Sequence, residues 1–429
     1  MTSEPTSAAE SAEPSYDARP LVVRTVRVDD PGALLRLLPA EDALAWVRRG
    51  EGLVGWGVAR QVRTHGPDRF ATASAWWRAL TREAVVRDEV DHPGTGLVCF
   101  GSFAFADEPG TSVLTVPEVI VGRRGETTWV TTVSSALSAP PDLAPSDPPA
   151  APAGVTFLDG ALSGTEWERV VAVAVGRIGT GELEKVVLAR DLLATADEDV
   201  DVRWPLERLA DTYPMCWTFH VDGLFGATPE MLVRRERGLV TSRVLAGTIR
   251  RTGDDARDLA LAATLARSSK DLEEHEYAVR SVADALAPHC SSMNVPESPF
   301  VLHLPNVMHL ATDVAGVVHE APGGSEAASS LDLAAALHPS AAVGGTPTDR
   351  ATAVIAEIEQ MDRGRYAGPV GWMDASGDGE WGIALRSAEI DGSTVRLFAG
   401  CGIVADSDPE AELAEAQAKF LPVRDAITS

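Results

Sequence analysis

Between Cys216 and Ile249 four strand-like runs follow one another with almost no chain between them: CWTFHV, LFGATPE, MLVRRE and LVTSRVLAGTI. Asp222-Gly223 separates the first two and Arg237-Gly238 the last two. A two-residue connection ending in glycine favours a tight hairpin, so this stretch is committed to antiparallel sheet. The same theme recurs towards the C-terminus in YAGPVGWMDA, GEWGIALRSAEID and TVRLFAGCGIV, and before residue 137 in LVGWGVA, GLVCFGSFAF and SVLTVPEVIVGRRGETTWVTTV. KVVLARDLLATA reads as a further strand. Helical spacing of apolar residues marks TASAWWRALTREAVVRDEV, Gly164 to Arg177, Asp255 to Ser268, Lys270 to Ala287, and a last helix from Pro409. The expected class is α+β, with large antiparallel sheets covered by helices.

At 429 residues the chain is long enough for two or three domains. Its clearest internal punctuation is SAPPDLAPSDPPAAPA at 138–153, dense in proline and without aromatic residues, which reads as an exposed loop or linker. Residues 1–19 read as a disordered tail, with neither the basic nor the apolar region of a signal peptide. The remaining segments are 20–137 and 154–429. No stretch approaches the roughly 18 apolar residues of a membrane span, so a cytoplasmic protein is expected. Cys99, Cys216, Cys290 and Cys401 are far apart, without metal-ligand spacing, and are expected to be buried thiols. A formal net charge of −26 would repel nucleic acid and anionic membranes and excludes both as partners. An anionic small substrate stays possible only if local basic side chains or a bound cation meet it.

Gly377-Asp-Gly379-Glu-Trp-Gly382 matches a dinucleotide-binding pattern, but that use needs a strand before it and a helix after it. Here both flanks read as strand, and a hairpin turn is expected. More informative are Glu412, Glu415 and Lys419, spaced to share one face of the last helix, and Glu274, which shares a face with Tyr277, Ala278 and Ser281. Solvated ion pairing would also account for that spacing. Lys185 opens the apolar run Lys185-Val-Val-Leu-Ala-Arg190, an uncommon place for a lysine unless its stem packs while its amine reaches water.

These residues fall within a set that resembles the chorismate-binding enzymes: anthranilate synthase large subunits, aminodeoxychorismate synthases, isochorismate synthases and salicylate synthases. The resemblance runs from about Gly164 to the C-terminus. It is carried by Lys185 to Arg190, Phe225-Gly-Ala-Thr-Pro-Glu230, Leu245-Ala-Gly-Thr248, Ser269-Lys-Asp-Leu-Glu-Glu-His-Glu276, His338-Pro-Ser, Phe398-Ala-Gly-Cys-Gly-Ile-Val404 and Ser407 to Glu415. The segment Phe100 to Phe105 looks like the family's amino-terminal portion. The implied fold is that of anthranilate synthase component I, two large sheets with the active site between them, and the proline-rich segment is then no boundary between independent domains.

What the resemblance implies about chemistry answers the charge problem. Mg²⁺ would be bound by Glu274 and Glu415, with Glu412 acting through water, and would hold the ring carboxylate of chorismate. Lys419, Arg386 and the backbone around Gly247, Thr248 and Gly402 would bind other anionic oxygens, with His309 and Tyr366 near the ring. Lys185, in its neutral form, would activate water, and Glu230, holding its proton, would protonate the departing hydroxyl. Ammonia-using relatives usually carry glutamine where Lys185 stands, and aminodeoxychorismate synthases a lysine where Ala246 stands. Isochorismate synthase activity is therefore expected, without an amidotransferase subunit and in a monomer. Salicylate synthase, which adds pyruvate elimination, is the alternative; an ammonia-using enzyme and a non-catalytic chorismate binder rank below it. With no fused lyase or carrier domain in the chain, a role in menaquinone rather than siderophore synthesis is expected.

Overall fold

The structure is a computed structural model that describes residues 19–136, 138–303, 307–319 and 327–428, the side chains of Thr248, Lys270 and Glu274 excepted. The expected tail at 1–19 therefore lies almost entirely outside the described residues.

Two large sheets dominate the molecule. The first has thirteen strands, running from Thr156–Asp159 at one edge through Lys185–Thr195, Thr394–Ile403, Ser387–Asp391, Leu224–Thr228 and Trp217–Val221. It continues through Leu44–Arg48, Glu51–Trp56, Val119–Arg124, Thr127–Ser134 and Val22–Arg27 to Val85–Asp88, while Gly345–Thr346 pairs beside Lys185–Val186. The second has ten strands. From Cys290–Asn294 it passes through Val307–Val318, Leu239–Arg250, Met231–Glu236 and Gly379–Ile383. Pro369–Asp374, Val98–Ser102, Ser112–Val116 and Arg60–Thr64 complete that path, and Phe300–His303 pairs with Val307–Val318.

Both hairpins anticipated at Asp222-Gly223 and Arg237-Gly238 are present, with positive φ at all four positions (51°, 82°, 50° and 81°), the backbone that a two-residue turn between twisted strands demands. The glycine-rich stretch around Gly377 is a turn as well, joining Pro369–Asp374 to Gly379–Ile383. All four cysteines are buried thiols.

Two readings need correction. GEWGIALRSAEID is two strands, Gly379–Ile383 in the second sheet and Ser387–Asp391 in the first. The chain breaks between them at Arg386, whose φ of 49° cannot continue a strand. The helix in TASAWWRALTREAVVRDEV stops at Glu83, and Val85–Asp88 pairs in parallel with Val22–Arg27. Its β-branched start and the bond from Val85 N–H to the Leu21 carbonyl (2.8 Å) draw it into the sheet.

Strands from both sides of the proline-rich segment share each sheet: Val98–Ser102 pairs with Pro369–Asp374, and Leu44–Arg48 with Trp217–Val221. The segment itself has no regular structure, yet Ser146 N–H bonds the Arg36 carbonyl and Arg203 bonds the Asp147 carbonyl. The main core joins residues of both sheets, including the fully buried Trp46, Phe100, Phe219 and Trp381. A second apolar layer, with Leu206, Phe225, Leu397 and Phe420, packs the Arg203–Thr212 and Pro409–Ile427 helices onto the first sheet. Several helix starts are capped by side chains: Ser163 forms a capping box with Glu166, Ser268 accepts from the Asp271 N–H, and Asp408 accepts from the Ala411 N–H.

Two of the places where the chain passes from one sheet to the other, Pro229-Glu230 and Ala384 to Arg386, lie side by side. They are tied together: Ile383 N–H donates to the Glu230 carbonyl (3.1 Å), Thr228 Oγ1 to the Ile383 carbonyl (2.6 Å) and Ala227 N–H to the Arg386 carbonyl (3.2 Å). Two candidate site residues thereby stand at the seam between the sheets.

Candidate active site

Lys185 begins its strand as expected, and its amine has a defined neighbour. A Cβ added at residue 402 would stand 2.9 Å from Cε and 3.5 Å from Nζ of Lys185. Gly402 is paired with Val187 on the adjacent strand, so the missing side chain is the space the lysine occupies.

Glu230 is partly buried at the seam. Burial pushes its carboxyl up to about 7, against the opposing influence of Lys185, Arg386 and Lys419. These three basic side chains come from distant parts of the chain, and all act on one carboxyl. His309 shares that field: burial first, then Arg386 and Lys419, lower its ring to about 4, while a hydrogen bond with the Gly247 backbone works the other way. A buried imidazole held this low is neutral at ordinary pH.

Gly247 is a bulge. Register shifts between Ala246 and Thr248 as Leu239–Arg250 runs beside Val307–Val318, and Gly247 has φ of 77°, a backbone that favours glycine. The backbone of Thr248 pairs with His309; the Thr248 side chain lies outside the described residues. The Ser269–Leu286 helix packs against this bulge and brings the backbone of Glu274 there, while the Glu274 side chain is likewise outside the described residues.

The final helix supplies the acidic cluster. Glu412 accepts from Ser407 Oγ (2.8 Å), and Lys419 Nζ bonds both Glu415 Oε1 (2.7 Å) and the Gly400 carbonyl (2.8 Å). Burial raises Glu412, and Glu415 adds to it. Burial would raise Glu415 too, but the Lys419 charge and hydrogen bond, with Arg250 and Arg386, bring it below the usual carboxylate range. Donor atoms of Cys401, Glu412 and Glu415 all lie within 4.8 Å of one another. Two carboxylates suit a hard divalent ion that keeps several waters. The buried Cys401 thiol, raised to about 12 by burial, is a soft donor held protonated behind them.

Tyr366 lies at the margin of this set, 4 % exposed and stacked on Phe398 at 5.1 Å. Its hydroxyl is 3.1 Å from where a Gly400 side chain would begin. Two residues were missed by sequence reasoning. Arg250, closing the strand that carries Leu245 to Thr248, acts on Glu415. Asp271, one helical turn before His275, packs its Cβ 3.2 Å from the position of a Gly247 side chain. A basic residue at a motif's strand end and an acid three before Glu274 were the available signals. Clefts of about 370 and 380 Å³, around His92 and Asp374 and around Trp46 and Arg124, contain none of these residues.

Residues 40–428 match the family model described as chorismate binding enzyme. The chain belongs to the chorismate-binding enzyme family. Among relatives, the isochorismate synthase MenF of Bacillus subtilis is 38% identical over 270 residues, 62% of this chain and 56% of that protein. The match thus spans little more than half that relative's length. The salicylate biosynthesis isochorismate synthase of Pseudomonas aeruginosa is 32% identical over 452 aligned positions, 96% of this chain and 91% of the relative. Among solved structures, MenF, the menaquinone-specific isochorismate synthase of Escherichia coli, superposes with a TM-score of 0.77 at 25% identity, covering 96% of each chain. Anthranilate synthase component I of Streptococcus pneumoniae, at 21% identity and a TM-score of 0.69 over 88% of this chain and 92% of its own, shares the fold. Membership of the chorismate-binding family accounts for both sheets, since the match begins well before the proline-rich segment.

Proposed function

We propose that the chain converts chorismate to isochorismate, as an isomerase. The observation that carries this reading is the buried Glu230 carboxyl, held up to about 7 at the seam between the sheets and within the electrostatic reach of Lys185. Names of the relatives support the same choice within the family.

In the proposed reaction Lys185, as the neutral amine, takes a proton from water as its oxygen bonds to one ring carbon. Glu230 gives its proton to the hydroxyl leaving another, so one water enters and one departs. Lys419, Arg386 and the backbone at Gly247, Thr248 and Gly402 bind the substrate's anionic oxygens, and neutral His309 and Tyr366 border the ring. Glu274 and Glu415 would hold Mg²⁺, with Glu412 acting through water. When bound, that ion would neutralise and orient the substrate carboxylate in a chain whose net charge is −26. The reading includes a monomeric, cytoplasmic protein that needs no ammonia-supplying subunit. Among the described residues no helix is long and apolar enough to cross a membrane.

Incubating the purified protein with chorismate and Mg²⁺ tests this directly. Isochorismate as sole product is the expected result. Salicylate with pyruvate would replace the proposal with salicylate synthase activity, and binding without conversion would leave a chorismate binder.

A further inference from the structure

The Ser269–Leu286 helix packs on the second sheet and sets a buried imidazole against it. His275 is 2 % exposed. Its Nε2 lies 2.7 Å from Thr312 Oγ1 and its Nδ1 3.3 Å from the Ala246 carbonyl oxygen. A carbonyl only accepts, so Nδ1 carries the proton, and in the neutral ring Nε2 accepts from the Thr312 hydroxyl. Both nitrogens are satisfied, and the ring has one orientation. Ala246 immediately precedes the bulged Gly247, and Thr312 lies on the neighbouring strand, opposite Val244. One turn earlier on the helix, Asp271 closes on the same bulge. The helix therefore grips the bulge at two positions four residues apart, and Glu274 is the residue immediately before the ring. Sliding or rotating the helix would leave buried polar groups on both elements unpaired, which opposes such motion strongly.

We propose that His275 is a positioning residue. It fixes the turn that carries Glu274 against the Gly247 bulge, so that a metal ligand on the helix and the substrate-binding backbone of the strand keep one separation. This rests on the reading of Glu274 as a metal ligand. The role resembles that of outer-shell partners that orient ligands, whose loss weakens metal affinity by about 10- to 100-fold.

The test measures Mn²⁺ binding to the full chain by electron paramagnetic resonance of the free ion, beside circular dichroism and the chorismate KM. His275→Leu is expected to stay folded, bind Mn²⁺ about tenfold more weakly and raise KM more than it lowers kcat. His275→Gln, whose amide can donate to Ala246 and accept from Thr312, is expected to restore most of the affinity. A glutamine variant as weak as the leucine variant would mean that packing rather than hydrogen bonding matters, and would overturn the proposal. So would a folded leucine variant with parental Mn²⁺ affinity. If His275→Leu fails to fold, Thr312→Val decides, with weaker Mn²⁺ binding expected and parental affinity overturning the idea. Glu274→Gln separates the two layers of argument: parental Mn²⁺ affinity there refutes the metal-ligand reading itself, whereas loss there with none in His275→Leu refutes only the positioning role.

Discussion

The amine-bearing end of Lys185 occupies the side-chain space of Gly402, one strand away. A methyl group at 402 must push Cε aside by several tenths of an ångström, because 2.9 Å is closer than such carbons approach. Gly402→Ala is therefore expected to lower kcat, by less than the roughly 10²-fold that a 1 Å displacement can cost, with little change in the melting temperature. Lys185→Ala should remove about 10²- to 10⁴-fold, the usual contribution of a general base, while circular dichroism stays that of the parent. A Lys185→Ala protein with full isochorismate formation refutes the assigned base.

Glu230 links activity to pH. With its carboxyl at about 7, kcat/KM is expected to fall as pH rises through that value and the acid loses its proton. The stability consequence has the same direction. The folded state keeps the proton longer than the unfolded state, whose carboxyl titrates near 4.5. The contribution is thus complete below about 4.5 and lost as pH rises through about 7. Its size is at most roughly 3 kcal/mol. Glu230→Gln should match the parent's melting temperature at pH 4 and exceed it at pH 8; equal values at both would contradict the raised carboxyl.

Metal dependence should divide the three acids. Glu415→Gln and Glu274→Gln are expected to weaken Mg²⁺ binding by about tenfold or more, and chorismate affinity along with it. Glu412→Gln, whose carboxylate is anchored on Ser407, should weaken it less. Calorimetric titration of Mg²⁺ reads all three, and an unchanged isotherm for Glu274→Gln removes that residue from the ligand set.

Behind the Lys185 strand lies an ion pair almost without solvent exposure: Arg363 to Glu359 at 2.6 Å, 3 % and 1 % exposed. Arg363 also donates to the Val187 carbonyl (2.7 Å), and Glu359 accepts from the Ala189 N–H (2.8 Å). Arg363→Met leaves the carboxylate buried without its partner, and a loss of about 3–5 kcal/mol is expected. Urea unfolding measures it; a loss below about 1 kcal/mol, as at an exposed pair, would show that water reaches Glu359.

Local chemistry was readable wherever one residue's conformational demand decided the outcome. Asp222-Gly223 and Arg237-Gly238 turn as hairpins because their positive φ is cheap at glycine, and Gly377 to Gly382 lies at a turn and strand rather than a cofactor loop. The parallel strand at Val85 was not legible, since helical spacing continued into it and only the edge offered by Val22–Arg27 pulled it away. Nor was the break at Arg386, where the alternation of GEWGIALRSAEID carries no mark of a change of sheet.

Residue types and motif order alone determined the family, the α+β class and the short roster of lysines, acids and glycines from which a site could be built. Tertiary structure decided which of them meet. Glu230 and Arg386 come together because two sheet-to-sheet crossings are hydrogen-bonded side by side, and Lys185 reaches Gly402 because strands more than two hundred residues apart in sequence are neighbours. The raised Glu230 carboxyl follows from the burial such packing creates. Desolvation depends on what surrounds a group in space, and neighbours along the chain do not specify it.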